Sequence, residues 1–416
     1  MRVLMFGWEF PPHISGGLGT ACYGLTKGLA ECDDVEVLFV VPKAHGDEDQ
    51  SSMQLIGANN TPAGRNRNWF ENIETVPYVN PGEYDALFES EYGHFPHIHG
   101  NNGRLWFSGK YGAELHEEIY KYSLVAKIIA RDNNFDLIHA HDWLAYPAGI
   151  AAKEMTGKPL VIHVHATDFD RSGGSVNPRV FAIEKWGMEC ADQIITVSNL
   201  TRNIVINKYG IDPNKVTTVY NAVEPVEQKE STVKKGVDEK IVTFLGRLTM
   251  QKGPEYFVEA AKMVLNKMDN VRFVMAGNGD MMDAMIQRAA ELKISDKFNF
   301  TGFLKGDDVF NMFRQSDVFV MPSVSEPFGI VPLEAMQTNV PVIISYQSGC
   351  AEILEHALKV DYWDTAAMAN AIYGVLKYPT LWKHLREEGK KEVDGIVWKK
   401  SAAHVREVYL EALNNR

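Results

Sequence analysis

Two basic residues follow an apolar run in the second half of this 416-residue chain. Arg247 comes after the run 241–245 and Gly246, and Lys252 lies five residues further on. At the carboxyl end of a strand, the fork of an arginine and the point charge of a lysine can hold a diphosphate from two sides. An isolated Arg/Lys pair is also common at a solvated helix start. Here the pair follows a predicted strand, which favours a nucleotide site.

Two glutamates follow another apolar run, 318–321. Glu326 opens the turn Glu-Pro-Phe-Gly, and Glu334 lies about two helical turns further along the predicted helix. A lone glutamate there often only complements the helix dipole. Two carboxylates lining one pocket can instead accept hydrogen bonds from ribose or sugar hydroxyls, each contributing about 1.5–3 kcal/mol. The pair therefore predicts a pocket for a hydroxyl-rich ligand.

A glycine-rich turn, Gly16-Gly17-Leu18-Gly19, follows the first apolar run 3–6. Backbone N–H groups at the start of a helix attract anions, so this turn could hold a phosphate or could serve only as a tight turn. It is not the dinucleotide fingerprint G-x-G-x-x-G, because Cys22 stands where the third glycine is required. The segment Gly277-Asn278-Gly279 fails the same test at Met282, so an oxidoreductase is disfavoured.

Histidines form three H-x-H pairs in the first half of the chain. On a strand, His163 and His165 would share one face and could chelate zinc. No carboxylate or thiolate stands at a ligand-like spacing, so hydrogen-bonding histidines at strand ends are favoured, with Asp142 at such an end. The cluster comprises His94, His97, His99, His139, His141, His163 and His165.

Two D-x-D motifs are a second metal alternative. Asp47-Glu48-Asp49 and Asp168-Phe169-Asp170 have a spacing that can hold Mg²⁺ or Mn²⁺ against a diphosphate. The first lies in a polar segment and is expected to be solvated. The second could equally be a helix cap or a substrate contact. A metal site at either motif is therefore less favoured than these alternatives.

The elements that must position these residues alternate between short apolar strands and helical periods. This pattern predicts an α/β fold of two Rossmann-like, doubly wound domains facing each other across a cleft. The first would span 1–223 with an insertion over about 43–112, and the second would span 224–416, beginning with the charged linker 224–240. A last amphipathic helix, about 399–413, could pack on either domain. The predicted strands are 3–6, 35–41, 136–139, 160–165, 193–197, 241–245, 271–276, 298–300, 318–321 and 340–344.

Composition narrows the possible partners and the compartment. The chain has 42 basic and 54 acidic residues and a net charge of −12, which disfavours a nucleic-acid surface. No run approaches the roughly 18 apolar residues of a membrane span. The four cysteines form no CxxC pair or disulfide framework, and the N-terminus begins with a strand rather than a leader. We expect a cytoplasmic protein.

Taken together, the GGLG turn, Arg247 with Lys252, and the segment SVSEPFGIVPLEAM resemble the retaining glycosyltransferases of the GT-B fold. The likeness spans nearly the whole chain and includes VIHVHAT at 161–167 and VYNAVE at 219–224. The segments GWEFPPHISGGLG and HAHDW are similar to the bacterial and archaeal glycogen and starch synthases. The resemblance implies an enzyme that transfers a hexose from a nucleotide-sugar donor to a glycan acceptor.

The resemblance also implies roles for individual residues. Arg247 and Lys252 would neutralise the donor diphosphate. Glu334 would bind ribose, and Glu326 would hold the hydroxyls of the donor sugar near the reacting carbon. The family works without a metal or other cofactor, and the leaving phosphate would take the acceptor proton on the face from which it departs.

Further residues are implied on the other side of the cleft and in the donor loops. His165, or alternatively His163, would contact the sugar, and Asp142 would lie near the acceptor. Phe303 and Leu304 would flank the base. The remaining implied donor-binding residues are Gly16, Gly17, Leu18, Gly277, Asn278, Phe328, Gly329 and Ile330.

The expected reaction is transfer of glucose from ADP-glucose or UDP-glucose to an α-glucan, as in a glycogen synthase. One departure widens the possibilities, because the synthases usually carry a lysine where this chain has Ile14. The alternative is a related transferase that makes another glycoside or a cell-surface polysaccharide. A nucleotide-sugar epimerase and a non-catalytic glucan-binding protein are less favoured.

Overall fold

Two parallel β-sheets organise the computed structural model, which describes residues 1–14, 16–62, 104–226 and 235–414. The first sheet has seven strands in the order β3-β2-β1-β4-β5-β6-β7. Along β1, Val3 and Met5 belong to one buried cluster while Leu4 and Phe6 belong to another, so both faces of the sheet are covered. The strands are β1 (Arg2–Phe6), β2 (Glu36–Val41), β3 (Gln54–Gly57), β4 (Leu137–His141), β5 (Leu160–Val164), β6 (Gln193–Thr196) and β7 (Val216–Thr218).

In the first domain, short polar side chains cap the first turns of several helices, and glycines end them. Asn177 and Ser198 accept hydrogen bonds from the first turns of the helices that follow them. Gly157 and Gly210 end two helices in the left-handed conformation. The helices are α1 (Gly17–Ala30), α2 (Leu115–Asp132), α3 (Asp142–Thr156), α4 (Asp168–Ser172), α5 (Pro178–Cys190) and α6 (Asn199–Tyr209), with single 3₁₀ turns at Ala58–Asn60 and Pro213–Lys215.

The second sheet has six parallel strands in the order β10-β9-β8-β11-β12-β13. The strand order reverses between β1 and β4 in the first sheet and between β8 and β11 in the second. In open α/β sheets ligands bind at the carboxyl ends of the strands at such reversals. The strands are β8 (Lys240–Leu245), β9 (Val271–Ala276), β10 (Phe298–Gly302), β11 (Val318–Met321), β12 (Val342–Ser345) and β13 (Leu358–Val360).

The last helix returns to the first domain. An added Cβ at Gly24 would lie 2.1 Å from Nε1 of Trp398, and one at Gly28 would lie 2.6 Å from the Trp398 carbonyl oxygen. These two glycines of α1 therefore allow the last helix to approach closely. The helices of this half are α7 (Pro254–Leu265), α8 (Met282–Glu291), α9 (Asp307–Gln315), α10 (Ile330–Gln337), α11 (Thr365–Lys377), α12 (Pro379–Val393) and α13 (Trp398–Asn414), with 3₁₀ turns at Met250–Lys252, Ser295–Lys297 and Gly349–Glu352.

The structure confirms the predicted fold of two Rossmann-like α/β domains and adds three short strands, β3, β7 and β13. The strand β3 lies within the segment 43–112 that the sequence pattern suggested as an insertion, and it pairs with β2. Most of the remaining insertion, together with His94, His97 and His99, lies outside the described residues. Within the described ranges, every helix is too short or too polar to cross a membrane.

Candidate functional site

Lys252 and Glu326 form an ion pair at the carboxyl ends of β8 and β11, although they lie 74 residues apart in the sequence. Lys252 ends the 3₁₀ turn Met250–Lys252, and Glu326 lies in the loop after β11. Glu326 is only 8% exposed and its Oε2 also accepts a hydrogen bond of 3.4 Å from Ser323 Oγ. The strand reversal therefore holds a nearly buried carboxylate against a lysine.

Hydrogen bonds between the two loops fix this pair. The N–H of Val324 donates to the Gln251 carbonyl at 2.9 Å, and Gln251 Nε2 donates to the Ser325 carbonyl at 3.1 Å. Gly253 follows Lys252 with φ +63, where an added Cβ would lie 2.3 Å from the Pro322 carbonyl oxygen. Glycine is required there because the chain turns left-handed against another backbone.

The Arg247 side chain is exposed in the loop that follows β8. The loop rests on the turn after β9, because Gly277 has φ +133 and an added Cβ would lie 1.8 Å from the Gly246 carbonyl oxygen. The Leu248 N–H donates to the Asn278 carbonyl at 2.9 Å. Gly277 and Asn278, which the resemblance places at the donor, thus support the Arg247 loop through their backbones.

Glu334 of α10 lines a cavity of about 290 Å³ between the two domains. Thr20 of α1 and Arg314 of α9 also line it, as does Ile330. Burial raises the pKa of Glu334 to about 7. This carboxyl group is therefore poised between its neutral and charged forms near neutral pH.

The turn that carries Glu326 divides the predicted donor residues into buried and accessible ones. The Phe328 side chain is 3% exposed and packs in a buried apolar cluster, so it anchors the turn. Gly329 has φ +97 and precedes α10. Across the domain, Phe303 is 57% exposed after β10 and Leu304 beside it is half-buried. Phe303 thus presents a ring that could stack on a base.

The glycine-rich turn caps α1, with Gly16 at the N-cap and Gly17 as the first helical residue. Both are exposed, and an added Cβ at either would meet no atom within 4 Å, while Leu18 is half-buried. The N–H of Gly19 donates to Oε1 of Glu9 at 3.3 Å. Glu9 is 6% exposed, so a buried carboxylate that the sequence patterns did not single out lies against this helix start.

Four histidines pack together at the carboxyl ends of β4 and β5, with His139 and His141 in β4, His163 in β5 and His165 just after it. His139, His141 and His163 are fully buried, whereas His165 is half-buried. His141 Nδ1 and His165 Nε2 are 2.9 Å apart, and His139 Nδ1 lies 2.7 Å from the Tyr409 hydroxyl. Burial lowers the pKa of all four, which keeps them neutral near pH 7.

The stacking geometry bears on the zinc alternative. The His163 and His165 rings have centroids 4.2 Å apart and planes inclined by 22°. A coordinated metal lies in the plane of each imidazole, so two nearly parallel stacked rings cannot both point their lone pairs at one ion. Cys22 contributes a third candidate ligand atom within 4.8 Å of His141 and His165, but those two rings already share a hydrogen bond.

Asp142 holds the His165 loop. It has the left-handed φ of +58, which non-glycine residues rarely adopt, and it is 4% exposed. Its Oδ1 accepts from the N–H of His165 at 2.7 Å and of Ala166 at 3.3 Å, and its Oδ2 lies 3.5 Å from Arg171. Both carboxylate oxygens are thus engaged within the protein, although the resemblance places Asp142 near the acceptor.

The aspartates of both D-x-D motifs are also engaged by protein donors. Asp168 accepts from the Asn177 N–H at 2.5 Å, and Asp170 accepts from both the N–H and the hydroxyl of Thr167 at 2.8 Å. Asp47 lies 2.7 Å from His13, and Asp49 accepts from Tyr23 and Ser51. The second motif is therefore a helix cap, and metal binding at either would require these bonds to break.

A pair that the sequence patterns missed, Arg171 and the buried Glu184, supports the His165 loop from the first domain. Arg171 donates to Glu184 at 3.2 Å and to the Ala166 carbonyl at 3.3 Å. Glu184 is 1% exposed and also accepts from the Tyr209 hydroxyl. Burial raises its pKa to about 7 despite the arginine. The only sequence signal was the capping pattern Thr167-x-x-Asp170 just before Arg171.

Comparison with known proteins identifies two matching families, one for each half of the chain. The model of the glycosyltransferase family 4 matches residues 15–227, and that of the glycosyl transferases group 1 matches residues 226–392. The chain is 30% identical to an uncharacterized glycosyltransferase of Methanocaldococcus jannaschii over 86% of this chain and 83% of that one. It is 24% identical to the glycogen synthase of Mycobacterium tuberculosis over 99% and 95% of the two chains.

A solved structure with the same fold is the sucrose-phosphate synthase from Thermosynechococcus elongatus. Its TM-score is 0.73 at 18% identity, and the match covers 100% of each chain. The two matched families divide at residues 226–227, where the first domain passes into the second. The chain therefore belongs to the group 1 and family 4 glycosyltransferases and is a glycosyltransferase of the GT-B fold.

Proposed function

We propose that this glycosyltransferase transfers glucose, with retention of configuration, from ADP-glucose or UDP-glucose to an α-glucan. The observation that carries the proposal is the Lys252–Glu326 ion pair at the β8/β11 reversal. It combines a cation for a leaving diphosphate with a carboxylate for sugar hydroxyls. The likeness to a glycogen synthase over 99% of the chain supports the acceptor class.

On the donor side, Arg247 and Lys252 would stabilise the charge that develops on the departing diphosphate. Arg247 is exposed, so its guanidinium can reach a ligand at little cost in broken contacts. Preorganised cations of this kind stabilise the transition state more than the ground state. Glu334 would accept from the ribose hydroxyls, and Phe303 would stack on the base.

On the opposite side, His165 would meet the sugar as a neutral imidazole. Burial lowers its pKa, so the ring stays uncharged at neutral pH and can serve as a hydrogen-bonding group. The leaving phosphate would accept the acceptor proton on the face from which it departs. We propose that no metal is needed, since the two cations meet the diphosphate charge and the D-x-D carboxylates are held by protein donors.

The test is transfer of labelled glucose from ADP-glucose and UDP-glucose onto glycogen without added metal. Wild type is compared with Glu326→Ala and with Glu239→Ala, a matched control whose carboxylate pairs with Lys297 far from the cleft. We expect incorporation with wild type and Glu239→Ala and its loss with Glu326→Ala. Absence of incorporation from both donors, with nucleotide still bound, would contradict the α-glucan reaction.

The second candidate is a retaining transferase that makes another glycoside or a cell-surface polysaccharide. Ile14 favours it, because this side chain is 36% exposed beside the glycine turn where the synthases usually offer a lysine. The proposed roles of Arg247, Lys252 and Glu326 would be unchanged, and the donor preference and the acceptor would differ. A screen of other donors and acceptors that restores turnover would select this candidate.

We also propose a cytoplasmic location. All four cysteines are free thiols, and Cys22 and Cys350 are buried. Free cysteines in this number suit a reducing compartment, where nucleotide sugars are also available as substrates. Fractionation of the cells that express the protein, with an antibody to this chain, would test the proposal.

A further inference from the structure

One hydrogen bond joins the two halves of the site directly. Ser325 Oγ donates to Asp170 Oδ1 over 2.6 Å, across 155 residues of sequence. Ser325 immediately precedes Glu326 in the second domain, whereas Asp170 belongs to α4 of the first and is 1% exposed. A carboxylate buried to this extent needs partners for its oxygens, so the bond satisfies a real requirement.

The other oxygen of the same carboxylate fixes the His165 loop. Asp170 Oδ2 accepts from both the N–H and the hydroxyl of Thr167 at 2.8 Å. Thr167 follows His165 by two residues, and His165 is itself held by Asp142. Asp170 therefore contacts the histidine loop with one oxygen and the glutamate loop with the other.

The helix α4 meets the second domain at another point close to the ion pair. Gly173 ends α4 with φ +62, and an added Cβ there would lie 2.5 Å from Cε of Met250. Met250 begins the turn that ends in Lys252, and Gln251 of that turn donates to the Ser325 carbonyl. The α4 segment thus contacts both loops that carry the Lys252–Glu326 pair.

We propose that Asp170 is a positioning residue which, through Ser325, sets the distance between His165 and the Lys252–Glu326 pair. The inference rests on the proposed transfer reaction. A displacement of about 1 Å between reacting groups can lower a rate by about 10²-fold. The groups proposed to bind the donor nucleotide, Arg247, Glu334 and Phe303, all lie in the second domain, so most of the donor contacts do not depend on the bond. We therefore expect the bond to act mainly on kcat and much less on the KM for the donor.

The experiment compares Ser325→Ala, Ser325→Thr and Tyr220→Phe with wild type. Ser325→Ala removes only the hydroxyl and leaves the Thr167 bonds of Asp170 intact. Ser325→Thr restores a hydroxyl. Tyr220→Phe is the matched control, because it removes a different hydroxyl-to-carboxylate bond between the domains, to Glu352 at 2.9 Å. For each variant kcat, the donor KM and the melting temperature are measured with the donor and acceptor that wild type uses.

We expect Ser325→Ala to lower kcat by about 10- to 100-fold while the donor KM and the melting temperature stay near those of wild type. Ser325→Thr should recover most of the lost kcat, and Tyr220→Phe should keep its kcat within about twofold. An unchanged kcat in Ser325→Ala, or equal losses in Ser325→Ala and Tyr220→Phe, would overturn the inference. Failure of wild type to transfer any sugar would instead contradict the proposed function.

Discussion

The two halves of the site solve different electrostatic problems. In the second domain the site is ionic, with Arg247 exposed and Lys252 paired with Glu326. In the first domain the histidines are neutral, because burial lowers the pKa of His163 and His165 together with that of the two histidines of β4. The carboxylates of Asp142 and Asp170 on that side bond to protein groups. Both halves nevertheless lie at the carboxyl ends of parallel strands, at or next to a reversal of strand order.

The difference follows from what each half is proposed to meet. A departing diphosphate gains negative charge, so cations beside it stabilise the transition state. A sugar hydroxyl carries no charge, so a neutral imidazole can bond to it without the cost of burying a charge. One fold thus supports charge stabilisation on one side of the cleft and hydrogen bonding on the other.

The strongest test of the ionic half is Lys252→Ala. We expect kcat/KM to fall by about 10²- to 10³-fold, because the variant removes a cation from the diphosphate and leaves Glu326 without its partner. Steady-state kinetics with the active donor checks this. Lys297→Ala, which breaks a Lys–Glu pair away from the cleft, is the control and should keep normal kinetics. An equal loss of kcat/KM in Lys252→Ala and Lys297→Ala would contradict a specific role of Lys252 at the diphosphate.

In the first domain, the conformation of the loop that carries His165 depends on Asp142. We expect Asp142→Ala to lower kcat by about 10²-fold, because the N–H groups of His165 and Ala166 lose their acceptor and the loop shifts. Asp142→Asn keeps an acceptor oxygen and tolerates positive φ, so it should lose much less. Kinetics and chemical denaturation of the two variants measure this. Similar losses in Asn and Ala would point to the charge of Asp142 instead.

The pH dependence of donor binding should report Glu334. With its pKa raised to about 7, the ionised fraction falls about tenfold between pH 8 and pH 6. Because the carboxylate is the proposed acceptor for ribose, the donor KM should rise by up to about tenfold over that range. Donor titrations at fixed pH values test this. Glu334→Gln should have a flat profile, and a wild-type profile equally flat would contradict the assignment.

The smallest expected effect on activity concerns His163. Both of its ring nitrogens are buried with no hydrogen-bond partner among the described residues. We expect His163→Leu to keep more than half of the wild-type kcat, whereas His165→Leu should lose most of it. Kinetics of the two variants decides which histidine contacts the sugar. A greater loss for His163→Leu would reverse the assignment.

The variant His163→Leu also tests how a buried, neutral histidine affects the stability of the protein at low pH. An unfolded histidine has a pKa near 6.5, and burial lowers the pKa of His163 in the folded protein. As pH falls below about 6.5, the unfolded state binds protons that the folded state cannot, so stability decreases. Melting temperatures between pH 8 and pH 5 should therefore fall less steeply in His163→Leu. Identical slopes would exclude His163 from the acid sensitivity.

Much of the fold was predictable because local patterns specify it. Apolar runs of strand length between helical periods identified ten of the strands, and glycine and proline turns placed the predicted site residues at their carboxyl ends. The three strands that the pattern missed are short, and β3 lies in a polar stretch. Their pairing depends on a neighbouring strand rather than on their own residues.

The sequence by itself determined the two-domain α/β fold, the family and the residue types of the site, because spacing and hydrophobic period are local properties. Only the tertiary structure decided that His163 is buried while His165 is half-buried, and that Asp142 binds backbone N–H groups. It alone brought Ser325 to Asp170 across 155 residues. The first two outcomes depend on which strands lie side by side in one sheet, and the third depends on how the two domains face each other. No period or motif along the chain encodes such distances.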